Sequence, residues 1–184
     1  QLPRTGIHVS DLLRCLRKTY FDRTNQVPPS EALQLTFLRG RVLHALLQLN
    51  TPPIPKEVDG IIGTKDEMLL LLGMMVVEYK TTMQSFNSPP SEHWIQQLMA
   101  YCHMDNELSG YLVSLHLVGD YKNRMPMLRV WELMFTVSEI EDNWSMLQSR
   151  KALLLQGLGA MSPPDVAYKL GDWECKECVY LDRC

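Results

Sequence analysis

The chemistry this sequence most readily offers lies between residues 59 and 80. An apolar run from Met68 to Val77 is closed by Glu78-Tyr79-Lys80. Residues two apart on a strand project to one face, so Glu78 and Lys80 set a carboxylate beside an ammonium. Burying such charges is costly unless they are paired and used. Asp59, brought alongside by a hairpin, would add a second carboxylate. Hard divalent cations take carboxylate oxygens, and an imidazole in the set shifts preference toward Mn2+. His44 could supply that nitrogen if its helix packs over the hairpin. A metal so held suits phosphodiester hydrolysis, because it polarises the phosphate and acidifies a water. Lys80 would position that water and offset the charge that develops in the transition state. Taken singly, each residue reads as well as a solvated charge or an ordinary helix histidine. The apolar strand leading into Glu78 separates the set from a chance match.

Two further groups stand out. Gln97 and Tyr101 are four apart and so share one helical face, where an amide and a phenol can address the same ligand. Alone they read equally well as a packed tyrosine satisfied by a neighbouring amide. The tail carries Cys175, Cys178 and Cys184, a C-x2-C-x5-C run that offers three thiolates and needs a fourth. Cys102 follows Tyr101 on a helix expected to be buried and reads as a small core residue. Cys15 is therefore the better fourth ligand. Four thiolates hold either Zn2+ or an iron–sulfur cluster, and the spacing leaves both open. Either would clip the N-terminal helix to the C-terminal tail across a long loop.

The elements that must position these groups follow from periodicity and punctuation. A helix is predicted over 8–22, capped by Ser10, with Leu12, Leu16 and Tyr20 as its core stripe. Pro28-Pro29 breaks the chain and a second helix runs to about Asn50, with Gly40 marking a close approach of another backbone. Strands are predicted over Glu57–Gly63 and Met68–Lys80, joined by a turn at Thr64–Glu67. The second is expected to be central and covered on both faces, with Gly73 as a bulge or further turn. A helix follows from His93 to about Asp105, then strands over Tyr111–Gly119 and Met127–Thr136. Ser138-x-x-Glu141 reads as a capping box that opens a long helix to Ala160. This order predicts an α/β fold, a small mixed sheet flanked by helices. The chain divides into a helical part (8–50), an α/β core (56–136), a long helix (138–160) and a cysteine-rich tail (172–184), all within one domain over 1–184.

Composition sets the bounds. With 184 residues, 46% hydrophobic and 21% charged, the chain is long enough to bury one good core. Neither a leader nor a membrane span is expected, since the longest apolar run falls well short of the roughly 20 residues a span needs. The net charge of −3 argues against wholesale coating of nucleic acid. Residues 1–50 nevertheless carry seven Arg/Lys against three acids, which permits a local phosphate-binding surface or an ordinary solvated face. Three cysteines within the last ten residues read as ligation in a reducing compartment rather than as disulfides, hence a cytoplasmic location.

Taken in order, these pieces resemble the RecB-type nucleases of the PD-(D/E)XK superfamily. The likeness is to the branch that carries an iron–sulfur cluster, and within it to the CRISPR-associated exonucleases, the fourth of the numbered Cas families. The matching pieces are Ser10 through Cys15 to Tyr20, Gly40-x3-His44, Asp59, Glu78-x-Lys80, Gln97-x3-Tyr101 and the cysteine tail. The resemblance implies a restriction-endonuclease-like core and a Mg2+ or Mn2+ site of His44, Asp59, Glu78 and the Tyr79 carbonyl. It implies Lys80 as the catalytic lysine, with Gln97 and Tyr101 supporting DNA binding and cleavage. Cys15, Cys175, Cys178 and Cys184 would hold a cluster, usually [4Fe–4S]. The implied activity is exonucleolytic cleavage of single-stranded DNA or DNA ends during spacer processing. The CRISPR integrase proteins would be partners, a homo-oligomer is allowed, and no membrane is involved. Two rivals use the same residues differently. One is a phage or viral iron–sulfur repair exonuclease; the other is a non-catalytic DNA- or protein-binding module stapled by zinc. Two departures stand out: Asp59 follows valine rather than proline, and the overall acidity runs against broad DNA affinity.

Overall fold

The computed structural model describes residues 5–31, 34, 35, 37, 38, 40, 42, 55–69, 75–165, 173–176 and 178–184. The single helix predicted over 8–22 is two helices, α1 (Val9–Leu12) and α2 (Leu16–Thr24). Asp11 explains the break. Its buried carboxylate reaches back to accept the His8 N–H at 3.1 Å and binds Arg23 at 2.6 Å and Arg14 at 3.3 Å. Its carbonyl accepts from the Thr19 hydroxyl at 2.9 Å. The carboxylate closes a capping box at the start of α1, and the carbonyl, taken by Thr19, is the acceptor that a continuous helix would have given to the Cys15 N–H. Arg14 also pairs with Asp22 at 3.1 Å. Two of the N-terminal cations are thus engaged internally and not aimed at a phosphate, while Arg4, Arg39 and Arg41 lie outside the described residues. Gly40 is helical, but a Cβ built there meets no atom within 4 Å, so the expected close approach is not seen among the described residues.

The strands form two sheets, not one continuous hairpin. β1 (Pro55–Val58) and β2 (Ile61–Thr64) pair antiparallel, with Val58 opposite Ile61. Their turn is Asp59-Gly60, with φ of +49° and +69°. Positive φ at both central residues is the tight hairpin turn that Asp-Gly favours. A four-stranded sheet follows in the order β3 (Glu67–Leu69), β4 (Met75–Thr82), β5 (Ser109–His116), β6 (Met127–Met134). β4 and β5 are parallel and the other pairs antiparallel. β4 is internal, as expected, and Val76 and Val77, which face opposite ways, are both buried. Gly73 lies outside the described residues.

The parallel β4–β5 pair requires a crossover, and α3 (Glu92–Asp105) provides it. Trp94, Leu98 and Tyr101 are buried along it. Leu98 packs onto Gly110 of β5, where an added Cβ would lie 2.9 Å from the leucine. Burying a leucine this completely contributes about 1.5–3 kcal/mol. The long helix α4 (Val137–Ala160) covers the outer side of α3 and also packs on α1 and α2. Its cap is Thr136, two residues before the expected Ser138. Thr136 Oγ1 accepts the Glu139 N–H at 3.2 Å, and Glu139 accepts the Thr136 N–H at 2.7 Å. The fold is therefore mixed α/β, with small sheets flanked by helices, as expected. Among the described residues, no helix is long and apolar enough to cross a membrane.

The C-terminal tail docks on α2. Tyr180, 1% exposed, stacks on Phe21 with centroids 5.3 Å apart. Its hydroxyl donates to Asp22 at 2.8 Å and accepts the Val27 N–H at 3.1 Å. Burial raises the phenol above its ordinary pKa, so it stays protonated and able to donate. Tyr180→Phe keeps the stack but leaves a partly buried carboxylate and an N–H without this partner. It should lower unfolding free energy by roughly 1–3 kcal/mol, read as a reduced urea midpoint with an unchanged slope.

Candidate active site

A continuous hydrogen-bonded chain links β4 to α3. The Lys80 ammonium donates to Glu78 Oε1 at 2.5 Å and to Gln97 Oε1 at 2.8 Å. The Gln97 amide in turn donates to the Tyr101 hydroxyl at 2.8 Å. The strand's two-residue period and the helix's four-residue period converge here. Glu78 and Lys80 point to the α3 side of the sheet, and Gln97 and Tyr101 face down from adjacent turns. The Glu78 side chain is 3% exposed and that of Lys80 17%. An ion pair this enclosed is stable only when its remaining donors and acceptors are met, and Gln97 meets one. Four of the predicted site residues are thus brought together.

Asp59 is not among them. Its carboxylate accepts the Trp144 indole N–H of α4 at 3.0 Å, and its carbonyl accepts from Lys151, also on α4. Trp144 stacks on His103 at 4.3 Å. His103 is two residues beyond Tyr101 on α3, so it faces about 200° away. The Asp-Gly turn thus sets Asp59 against α4. The carboxylate that does lie beside Glu78 is Asp66, immediately before β3. Glu67 pairs with Val77, so Asp66 falls alongside Glu78, and its Oδ2 accepts the Tyr79 N–H at 2.8 Å. It is 8% exposed. Two signals could have found it. Asp-Gly is itself a turn signature, and Asp66 stands two residues before the apolar stretch leading to Glu78. Gly63, between the two, lets β2 pass close under α3, since a Cβ there would collide with Met104 and lie 3.1 Å from Tyr101.

His44 lies outside the described residues. Tyr79 is half-buried on β4, its N–H held by Asp66. Among the described residues, no three His, Cys, Asp or Glu side chains are gathered as a metal-holding group. Asp66 and Glu78 are a two-carboxylate start that suits a hard cation, with further oxygens from backbone or water. The cysteines sit on adjoining segments. Cys15 is the N-cap of α2, and its N–H donates to Glu174 Oε1 at 3.3 Å, bridging 159 residues. Cys184 is close enough for its charge to act on Cys15, whose thiol is pushed up chiefly by burial. Cys102 is fully buried and donates to the Ser109 carbonyl at 3.4 Å, with burial pushing its thiol up to about 12. None of the five cysteines forms a disulfide.

No family model matches the chain, and no curated protein matches it. Among solved structures, it superposes on the crystal structure of SSO0001 with a TM-score of 0.63 at 20% identity, over 98% of this chain and 86% of that one. Likeness at this identity establishes a shared fold along nearly the whole chain, and that alone. An alkaline exonuclease, LHK-Exo from Laribacter hongkongensis, superposes with a TM-score of 0.45 at 12% identity, over 85% of this chain and 91% of that one. LHK-Exo in complex with dAMP gives 0.48 at 14%, with the same coverages. Superpositions this loose carry no weight for the activity of this chain.

One residue near the hydrogen-bonded chain has no signature in the sequence. His93 shares the α3 face of Gln97 and Tyr101, at i, i+4 and i+8. Burial first, and then the Lys80 charge, hold it down to about 4. The imidazole is therefore neutral near pH 7. The unfolded chain takes up a proton through its ordinary value near 6.5, whereas the folded chain waits until about 4. Stability is thus lost as pH falls across that window. NMR titration should give a His93 midpoint near 4, moving upward in Lys80→Ala, and His93→Gln should remove this share of the acid destabilisation.

Proposed function

We propose that the chain is a divalent-metal-dependent deoxyribonuclease of the iron–sulfur RecB-like type. The observation that carries the reading is the Glu78–Lys80–Gln97–Tyr101 chain beside Asp66, on a sheet whose parallel crossover places α3 over the end of β4. Asp66 and Glu78 would hold the Mg2+ or Mn2+, with the Tyr79 carbonyl and His44 as further donors. The chemistry a bound ion supplies is polarisation of the phosphodiester and acidification of a water. The chain's own residues do the rest. Lys80, fixed between Glu78 and Gln97, presents a cation to the phosphate oxygens and orients the attacking water. Gln97 holds Lys80 through its amide oxygen, and Tyr101 keeps that amide from turning. His93, neutral beside Lys80, adds no competing positive charge there.

The substrate is single-stranded DNA or DNA ends, degraded exonucleolytically. The biological setting that the sequence resemblance favours is spacer processing alongside the CRISPR integrase proteins, in the cytoplasm. Cys15, Cys175, Cys178 and Cys184 would hold the [4Fe–4S] cluster. The docking of Glu174 and Tyr180 on α2 supports this by bringing the tail to the helix that Cys15 opens.

Labelled single-stranded DNA with Mn2+ should be degraded by the wild type, while Asp66→Ala, Glu78→Ala and Lys80→Ala should each lose roughly 10²–10⁴-fold in rate. Asp59→Ala should retain activity. Full activity in the Glu78 and Lys80 variants would end the proposal, and loss in Asp59→Ala with none in Asp66→Ala would reverse the choice of carboxylate.

Anaerobic protein should be brown, with broad absorption near ~400 nm from thiolate-to-iron charge transfer. Cys15→Ser should bleach it and Cys102→Ala should not. A colourless protein holding zinc would favour the stapled binding module, provided it also left DNA intact.

A further inference from the structure

The face of the sheet that carries Lys80 continues past the proposed catalytic group. Lys80 lies beside Ser114 of β5, and Ser114 lies opposite Arg129 of β6. Paired residues point to the same side of a sheet, so Lys80, Ser114 and Arg129 form one row across three strands. Two strand spacings, roughly 10 Å, separate the first backbone from the last.

Arg129 is unusually well fixed for a residue on an edge strand. Its guanidinium carbon lies 4.8 Å from the Trp131 ring centroid and 5.4 Å from that of Phe86. Nη1 donates to the Phe86 carbonyl at 2.8 Å. Phe86 is secured in turn, its N–H donating to the Gly119 carbonyl at 2.7 Å and its ring meeting His116 edge-on at 5.6 Å. His116 is 1% exposed and pinned at both nitrogens. Nδ1 donates to the Gln84 carbonyl at 3.0 Å, which leaves Nε2 to accept from Ser114 Oγ at 2.7 Å. Ser114, in the middle of the row, therefore serves to brace the clamp.

Among the described residues, Arg129 has no carboxylate partner, unlike Arg14, Arg23, Lys56, Lys65 and Lys80. A guanidinium has five donors in a planar fork that matches phosphate, and a fork already held between rings loses little entropy on engaging one. The bland reading is that Arg129 only ties the loop after β4 to the sheet edge. That tie uses one nitrogen and the ring faces, which leaves a charged edge open to a ligand.

We propose that Arg129, held against Phe86 and Trp131, is a backbone-phosphate subsite that grips the DNA strand about one or two nucleotides from the bond at Lys80. The proposal rests on the nuclease reading and adds a substrate-positioning contact to it. Successive phosphates of a single strand stand farther apart than the ~3.4 Å axial rise of a duplex, so the separation corresponds to about one or two nucleotide steps.

The test is binding of a fluorescein-labelled oligo(dT) by anisotropy in metal-free buffer over a salt series, with turnover measured separately in Mn2+. Arg129→Gln should weaken binding roughly ten- to a hundredfold at low salt. It should also reduce the salt slope by about 0.7, one phosphate's share on a single strand. KM should rise by the same factor, with kcat at saturating DNA unchanged. Arg129→Lys should restore the slope but not the full affinity. Unchanged affinity and slope in Arg129→Gln would overturn the subsite while leaving a nuclease that still cuts. So would an equal loss at every salt concentration accompanied by a lower Tm, which is the mark of a merely structural tie. A wild type that neither binds nor cuts oligo(dT) would remove the nuclease reading, and this proposal with it.

Discussion

A nearly buried ammonium governs this structure. Lys80 sits on a strand that opens with the apolar Met75-Val76-Val77, and removing its charge from water is tolerable only because Glu78 and Gln97 both receive it. That requirement reaches outward. Glu78 must be on the same strand two residues away, which fixes β4. Gln97 must arrive from above, which demands a helix crossing over β4 to a parallel neighbour. Tyr101 must sit one turn further on to hold the amide. The sheet order and the placement of α3 follow from satisfying one cation.

The second organising contact joins the far parts of the chain. Asp11 breaks the first helix and gathers Arg14 and Arg23, and the break leaves Cys15 as a helix cap with its N–H available to Glu174. Tyr180 then seats the tail on Phe21. A continuous helix over 8–22 would have engaged the Cys15 N–H with its own backbone. The Thr19 hydroxyl on the Asp11 carbonyl thus bears on whether a segment more than 150 residues away has a place to dock.

Most of the fold was legible because its signals were local. The Trp94/Leu98/Tyr101 stripe and the span of the long helix rest on periodicity and local punctuation, and both are seen. The Gln97–Tyr101 pairing was likewise a matter of helical spacing. What was missed depended on competition between neighbours. The helix break needed Asp11 to meet two arginines from further along. Asp66 reads in the sequence only as part of the turn at Thr64–Glu67, although Asp-Gly already marks an earlier turn. Arg129 and His93 gain meaning only from the strands and rings around them, which no spacing in the sequence announces.

The position of Asp66 has a consequence for how this sequence can change. It stands one residue outside the β3–β4 ladder, so its alignment with Glu78 depends on strand register together with the Tyr79 N–H that its carboxylate accepts. Lengthening the Asp59-Gly60 turn would be absorbed at the tip of a separate hairpin. Inserting a single residue between Asp66 and Glu67 would carry the carboxylate one step along a structure whose side chains alternate with period two. Drift in length is therefore cheap on one side of Thr64 and prohibitive on the other, although the two turns are only a few residues apart.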